Sequence, residues 1–319
     1  MNNGFWGKLN KPIMALAPMA NVTDEAFRRI ISKYGKPDVM WTEFVSCDGL
    51  CSEGIERLLP DFWFSESERP IIAQVFGATP ENFFKTAQLV KELGFDGIDI
   101  NMGCPDKAVL KQGAGASLIK NPTLTKEIMA ATKAGAGDLP LSIKTRIGDT
   151  ANTLDIWLPI LLSEQPAAIT IHARTRKEMS LVPARWDTIK QAVQIAQGSG
   201  TLILGNGDVK DKKEALQRVE ETGADGVMIG RGIFGNPWLF GTMAKDDVPF
   251  EQRMAILLEH TRLFEEIFGK IKKFELMKKH YKAYVNNFQG ASEMRNKMFA
   301  ANNSGDIEKI IYEHFAVKA

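Results

Sequence analysis

Cysteine is scarce in this chain of 319 residues: only Cys47, Cys51 and Cys104 are present, too few for a disulfide framework. Cys47 and Cys51 have the spacing C-x3-C, but no second ligand pair follows, so no metal site is expected. No apolar run is long enough to span a bilayer. The first residues, MNNGFWGKLNKP, lack an apolar signal core, so the expected location is the cytoplasm, with no membrane partner. Neither sign of charge is in excess. With 40 Lys and Arg against 39 Asp and Glu, the net charge is +1, which excludes a global field that draws in nucleic acid. Any basic surface must be local. Low-complexity segments are absent as well.

What is present is a succession of short β-rich apolar runs: PIMALAPM (12–19), VMWTEF (39–44), PIIAQVFG (70–77), DGIDINMG (96–103), PLSIKTRIG (140–148), AAITIHART (167–175), TLILGNGD (201–208) and DGVMIGRG (225–232). Several are nearly continuous in Val, Ile, Leu and Ala, as strands buried on both faces of a parallel sheet must be. Amphipathic helical stretches separate most of them, at 81–94, 124–135, 186–197 and 212–223, and several stop at glycine. Eight strands about thirty residues apart match the repeat of a (β/α)8 TIM barrel. A doubly wound open sheet ranks second, because no G-x-G-x-x-G follows the first strand. From about residue 245 the strand signal ends, and EQRMAILLEHTRLFEEIFG, KIKKFELMKKHYKAYVNNF, ASEMRNKMFAANN and GDIEKIIYEHFAV read as four helices. The expectation is an α/β protein: a barrel domain over 1–242, then a small helical bundle domain over 243–319.

Barrels of this kind carry chemistry at the C-terminal ends of their strands. Those ends hold, in order, Pro18-Met19-Ala20, Glu43, Gln74, Asn101 with Cys104, Lys144 with Arg146, His172 with Arg174, Asn206-Gly207-Asp208, and Gly230-Arg231-Gly232. Each alone has a plain structural reading, but together they line one mouth. The turns GNGD and GRG after the last two strands let backbone N–H groups approach an anion, the usual phosphate cup of this architecture. Arg231 adds a charged grip. Lys144 offers a fixed cation to a reduced ring, and Gln74 a donor and an acceptor to the pyrimidine edge of a flavin. His172 suits a ring carbonyl. The residues alone leave Cys104 open as a buried spacer, a redox thiol or a catalytic group.

The set APMANVTDEAFR (17–28), TEF (42–44), QVFG (74–77), DINMGCP (99–105) with GAGASL (113–118), KTR (144–146), HART (172–175), GNGDV (205–209) and MIGRG (228–232) resembles the tRNA-dihydrouridine synthases, in that family's order. The stretch KKHYKAYVNNFQGASEMRNKM (278–298) resembles its helical tail. The resemblance implies an FMN-binding barrel with an appended tRNA-binding domain, which reduces selected uridines of tRNA with NADPH as reductant. It implies FMN contacts at Pro18, Met19, Ala20, Gln74, Lys144, His172, Asn206, Gly207, Asp208, Gly230 and Arg231. It makes Cys104 the acid that protonates C5 of the uracil, and Asn101 a uridine contact. Glycines in GAGAS (113–117) would let the Cys104 loop move and close. Two positions depart from the family pattern: Lys107 stays after Cys-Pro, but Ala108 replaces the second lysine, and Ala173 replaces the glycine after the strand-six histidine.

The target base sits inside folded tRNA and must be swung out, so backbone contacts are needed. Lys107, Arg146, Arg174 and Arg176 are candidates at the mouth. In the tail, GKIKKFELMKKHYKAY (269–284) holds six lysines against one glutamate, and Lys272, Lys273, Lys278 and Lys279 are expected on tRNA phosphates. Its aromatics Phe274, Tyr281 and Tyr284 are expected in the tail's core. Other readings are an FMN-dependent reductase of a free pyrimidine, like dihydroorotate dehydrogenase, and a non-catalytic RNA-binding protein on a barrel scaffold. A monomer is expected, so that a large rigid tRNA can reach the mouth. Nothing in the residues says which uridine is chosen.

Overall fold

Backbone groups in strands buried on both faces can be satisfied only by neighbouring strands. In a computed structural model, which describes residues 3–316, eight parallel strands meet this requirement in one ladder. They are β1 (Ile13–Leu16), β2 (Met40–Ser46), β3 (Ile71–Phe76), β4 (Gly97–Met102), β5 (Leu141–Arg146), β6 (Ala168–His172), β7 (Leu202–Asn206) and β8 (Gly226–Ile229). The order runs β1-β8-β7-β6-β5-β4-β3-β2. The ladder closes where Ala15 of β1 bridges Val39 and the Leu16 N–H donates to the Val39 carbonyl at 3.1 Å. The fold is a (β/α)8 barrel.

Helices Glu25–Gly35, Pro80–Glu92, Pro122–Ala136, Leu154–Ser163, Asp187–Ala196 and Lys212–Thr222 cover the outside. Between β2 and β3 the longest α-helix is Cys47–Leu50, followed by three short 3-10 turns. The repeat is therefore incomplete there. This connection instead receives the first outer helix. Asp24 caps that helix, accepting from the Phe27 N–H at 2.9 Å. Arg28, wholly buried, pairs with buried Glu68 at 2.6 Å and donates to the carbonyls of Thr23 and Trp63, both at 2.5 Å.

The barrel interior is graded. At its lower end Ile13, Ala15, Trp41, Ile72, Ala168, Leu204 and Met228 share one apolar cluster with Trp6. Trp6 lies on the turn Gly4–Lys8 and is 2% exposed. The N-terminal segment is thus a hydrophobic plug. Toward the C-terminal ends the interior turns polar, with Gln74, Asp99, Asn101, Ser142 and Lys144. Polarity inside a barrel requires bonded partners, and these groups bond chiefly to one another.

After the barrel come helices Phe250–Phe268, Lys278–Tyr284, Ala291–Ala300 and Ser304–Ala316. The single helix expected over 270–288 is broken: residues 270–273 form a turn, Phe274–Met277 a 3-10 segment, and only Lys278–Tyr284 is α-helical. Tyr281 and Tyr284 are buried as expected. The tail's apolar core is continuous with the barrel's first outer helix, since Ala26, Ile30 and Trp238 belong to the same cluster as Phe264, Phe268 and Tyr281. No helix among the described residues is long and apolar enough to cross a membrane.

Candidate active site

One cleft opens at the C-terminal ends of the strands. Pro18 and Met19 from the β1 loop line it. So do Lys144 and Arg146 of β5, His172 of β6, Asn206-Gly207-Asp208 after β7, and Gly230-Arg231 after β8. Ala20 is exposed on the same β1 loop. The turn after β7 holds its shape because Gly207 sits at φ +133°, a backbone open only to glycine. Trp186 braces the turn from below, donating to the Gly207 carbonyl at 3.0 Å.

The cleft is rich in cationic groups. Lys144 is half-buried and has no carboxylate on its ammonium. Its polar contact is Asn206 Oδ1 at 3.4 Å, and Asn206 in turn donates to the Met228 carbonyl at 2.7 Å. Burial, with the Arg146 charge beside it, pushes Lys144 down to about 8. Burial, reinforced by Lys144, Arg146, Arg174 and Arg231, holds His172 far below the usual histidine range, so its ring is neutral. Arg174 Nη1 lies 3.4 Å from His172 Nε2. A guanidinium only donates, so Nε2 accepts and Nδ1 carries the proton. That Nδ1 is buried and has no partner. An unpaired buried donor is costly.

The acidic residue of the cup is neutralised internally. The Asp208 carboxylate accepts from Arg174, from the Ala184 N–H at 2.9 Å and from Arg231 at 3.0 Å. Its side chain therefore orients Arg231, and the carboxylate beside the turn is not bare.

Cys104 follows β4. Asn101 Oδ1 accepts from the N–H groups of Gly103 and Cys104, at 3.1 and 2.9 Å, and Asn101 Nδ2 donates to Gln74 Oε1 at 3.0 Å. Gln74 Nε2 donates to Asp99 at 2.7 Å, and Ser142 donates to the same carboxyl at 2.6 Å. Burial lifts Asp99 to about 6. This chain of amides leads from the barrel interior to the thiol. Asn101, expected on the uridine, is thus a brace for the Cys104 turn. Gln74 lies beneath the cleft with both ends of its amide already bonded. Asp99 escaped the sequence reading. Its only signal there was a lone carboxylate within an apolar run. Burial raises Cys104 above the ordinary thiol value, so it is protonated at neutral pH. The glycine stretch expected to move is closely packed against Cys104 in this structure. Gly115, at φ +59°, packs so closely that a Cβ would meet the Cys104 carbonyl at 2.9 Å and Val109 at 2.8 Å. The Ala116 N–H donates to that carbonyl at 3.1 Å. These contacts make GAGAS a seat for the cysteine.

Several cations expected on tRNA have other partners. Arg146 donates to the carbonyls of Gly103, Thr175 and Met179 at 2.7, 3.1 and 3.0 Å. Arg174 is 2% exposed and holds the Val182 carbonyl and Asp208. Arg176 is paired with Asp149 at 2.5 Å. Lys272 lies between Glu43 and Asp61, 2.7 Å from each, with its ammonium 4.7 Å from the Phe268 ring centre. Each of the four already neutralises an acid or caps backbone carbonyls. Lys279 donates to the Asn21 carbonyl. Lys107, Lys273 and Lys278 carry no ion pair among the described residues, and Lys107 and Lys273 are exposed. No cluster of His, Cys, Asp and Glu suited to a metal occurs among the described residues.

The family model for dihydrouridine synthase matches residues 15–319. A probable tRNA-dihydrouridine synthase of Staphylococcus aureus is 39% identical over 322 residues, covering 98% of this chain and 96% of the relative. A probable tRNA-dihydrouridine synthase 2 of Bacillus subtilis is 38% identical over 320 residues, with the same coverage. Among solved structures, an old yellow enzyme homologue from Zymomonas mobilis aligns over 70% of this chain and 86% of its own, with a TM-score of 0.49 and 12% identity.

Proposed function

The chain belongs to the dihydrouridine synthase family, and from that premise we propose that it reduces specific uridines of tRNA to 5,6-dihydrouridine, using FMN in the described cleft and NADPH as reductant. The observation that carries the cofactor assignment is the set of groups around one cleft: Lys144 and His172 line it together with the Gly207 and Gly230 turns and Arg231. These groups match a molecule with ring carbonyls at one end and a phosphate at the other. Pro18 and Met19 would supply the wall, Lys144 and His172 would hold the ring oxygens, and the two turns with Arg231 would hold the phosphate. Bound there, the flavin would supply hydride chemistry, directed at C6 of the uracil.

The remaining chemistry belongs to the chain. Saturating a C5–C6 double bond requires a proton at C5, and Cys104 is the acid whose loop lies beside the cleft. Its raised pKa keeps the proton on sulfur until the base arrives. Lys144 stabilises negative charge that develops across the mouth. Residues 243–319 form the tRNA-binding domain, with the unpaired cations Lys273 and Lys278, and Lys107 at the mouth, on phosphates. The test is direct. Purified protein with FMN and NADPH should place dihydrouridine at a defined position in tRNA that lacks it. Oxidation of NADPH without any dihydrouridine would refute the reading and point to a free pyrimidine.

The lysine gives this reading a pH signature. Cofactor oxygens favour protonated Lys144, so FMN affinity should fall as pH rises through about 8. The limit is about tenfold per pH unit for one coupled proton, and Lys144→Met should flatten the profile. Folding without cofactor has the opposite sign. The unfolded lysine titrates near 10.4, so between about 8 and that value the unfolded chain binds more protons, and this group favours the folded state as pH rises. Fluorescence titration with FMN and thermal melts from pH 7 to 10 read the two slopes separately.

A further inference from the structure

The β1 loop that walls the cleft is held in place by the helical tail. Asn21 stands at φ +56°, a left-handed backbone that a non-glycine residue adopts only at some cost. Both of its main-chain polar groups are occupied. Its N–H donates to Glu43 Oε1, and its carbonyl accepts from Lys279 Nζ. The other Glu43 oxygen, Oε2, bonds Lys272 at 2.7 Å, and Lys272 also bonds Asp61 at 2.7 Å. Glu43 is 5% exposed, and the Lys272 side chain 13%. Phe268, under the Lys272 ammonium, stacks on Trp63 of the β2–β3 connection with ring centres 6.0 Å apart. Two residues before Asn21, the Met19 carbonyl accepts from the N–H groups of Val22 and Thr23, both at 3.0 Å, so Met19 and Asn21 belong to one hydrogen-bonded turn.

We propose that Lys272 and Lys279 are positioning residues for the cofactor: the tail completes the FMN site by locking the Pro18–Asn21 loop through Glu43 and the Asn21 carbonyl. The inference rests on the FMN reading above. The charge balance around Lys272 supports it. Two carboxylates share this lysine, so the spot attracts no further anion, and a tRNA phosphate gains nothing there. A loop already held in its bound shape loses little freedom when the cofactor arrives. Without the clamp, the Asn21 backbone relaxes and the wall must be rebuilt at each binding event. The consequence is that cofactor retention depends on a segment some 250 residues away in sequence, and that whatever grips the tail also acts on the flavin loop.

The test measures FMN affinity by flavin fluorescence and tRNA affinity across salt concentrations, with the full-length protein. Lys272→Met should raise the FMN dissociation constant at least tenfold and leave the salt slope of tRNA binding unchanged. Lys272→Arg should recover most of the FMN affinity. Because Lys272→Met strands two carboxylates and can disturb folding, Lys279→Met serves as the second variant. It removes only a bond to a carbonyl and should weaken FMN three- to tenfold. Wild-type FMN affinity in Lys279→Met and in any folded Lys272→Met protein would overturn the proposal. So would a salt slope reduced by about one in Lys272→Met, which would return that residue to tRNA. If the wild-type protein itself binds no FMN, the cofactor reading fails, a result distinct from the clamp failing.

Discussion

Replacing Cys104 with alanine should lower dihydrouridine formation by roughly 10²–10⁴-fold, the usual worth of a positioned general acid, while flavin content should stay at the wild-type level. The reason is spatial. The thiol sits on a turn braced by Asn101 and seated on Gly115, outside the set of residues that line the cofactor cleft. Removing it takes a proton from the substrate side and no contact from the flavin side. Reduction of the bound flavin by NADPH should keep its wild-type rate, whereas reoxidation by tRNA should slow. Cys104→Ser should retain a fraction of the activity, because a hydroxyl fits the seat but is a poorer acid. Position-resolved dihydrouridine mapping with both variants checks this. Full turnover by Cys104→Ala would assign the proton to water or to another group.

Arg28→Met carries the largest expected cost to stability, about 3–5 kcal/mol, as found when one member of a buried ion pair is removed. Arg28 and Glu68 are both fully buried at 2.6 Å, and the guanidinium also caps the carbonyls of Thr23 and Trp63. Deleting it leaves a buried carboxylate without its cation and two carbonyls without their donor. The double variant Arg28→Met with Glu68→Gln should recover the part due to the stranded charge, but not the part due to the carbonyls. Urea denaturation of the two variants separates these contributions. Equal stability of Arg28→Met and wild type would show that water reaches the cluster and replaces the guanidinium.

The two residues illustrate which features were readable along the chain. Cys104, Lys144, His172, Asn206 and Arg231 were legible because each stands at the C-terminal end of a strand, and in a closed barrel all such ends face one mouth. Strand position is a local property, written in runs of Val, Ile and Ala with a polar residue at the end. The partners of Lys272 and Lys279 were not legible, for the opposite reason. A lysine-rich stretch looks like a phosphate-binding surface until its partners are known. The partner of Lys272 is Glu43, 229 positions away. Arg174 is likewise tied to Asp208, 34 positions on. Asn101 was assigned to the substrate because its type fits a base edge, yet its amide is already divided between the Cys104 turn and Gln74.

By itself, then, the sequence determined the barrel, the family and the identity of the groups that ring its mouth, since periodicity and strand-end chemistry are local and repeat eight times. Only the tertiary structure decided which charges are free. The pairing of Lys272 with Glu43 and Asp61, the capping by Arg146 of three carbonyls, and the plug formed by Trp6 all join segments far apart in the chain. A charge's role depends on whether folding buries it beside its opposite or leaves it in water, and no local pattern records that distance.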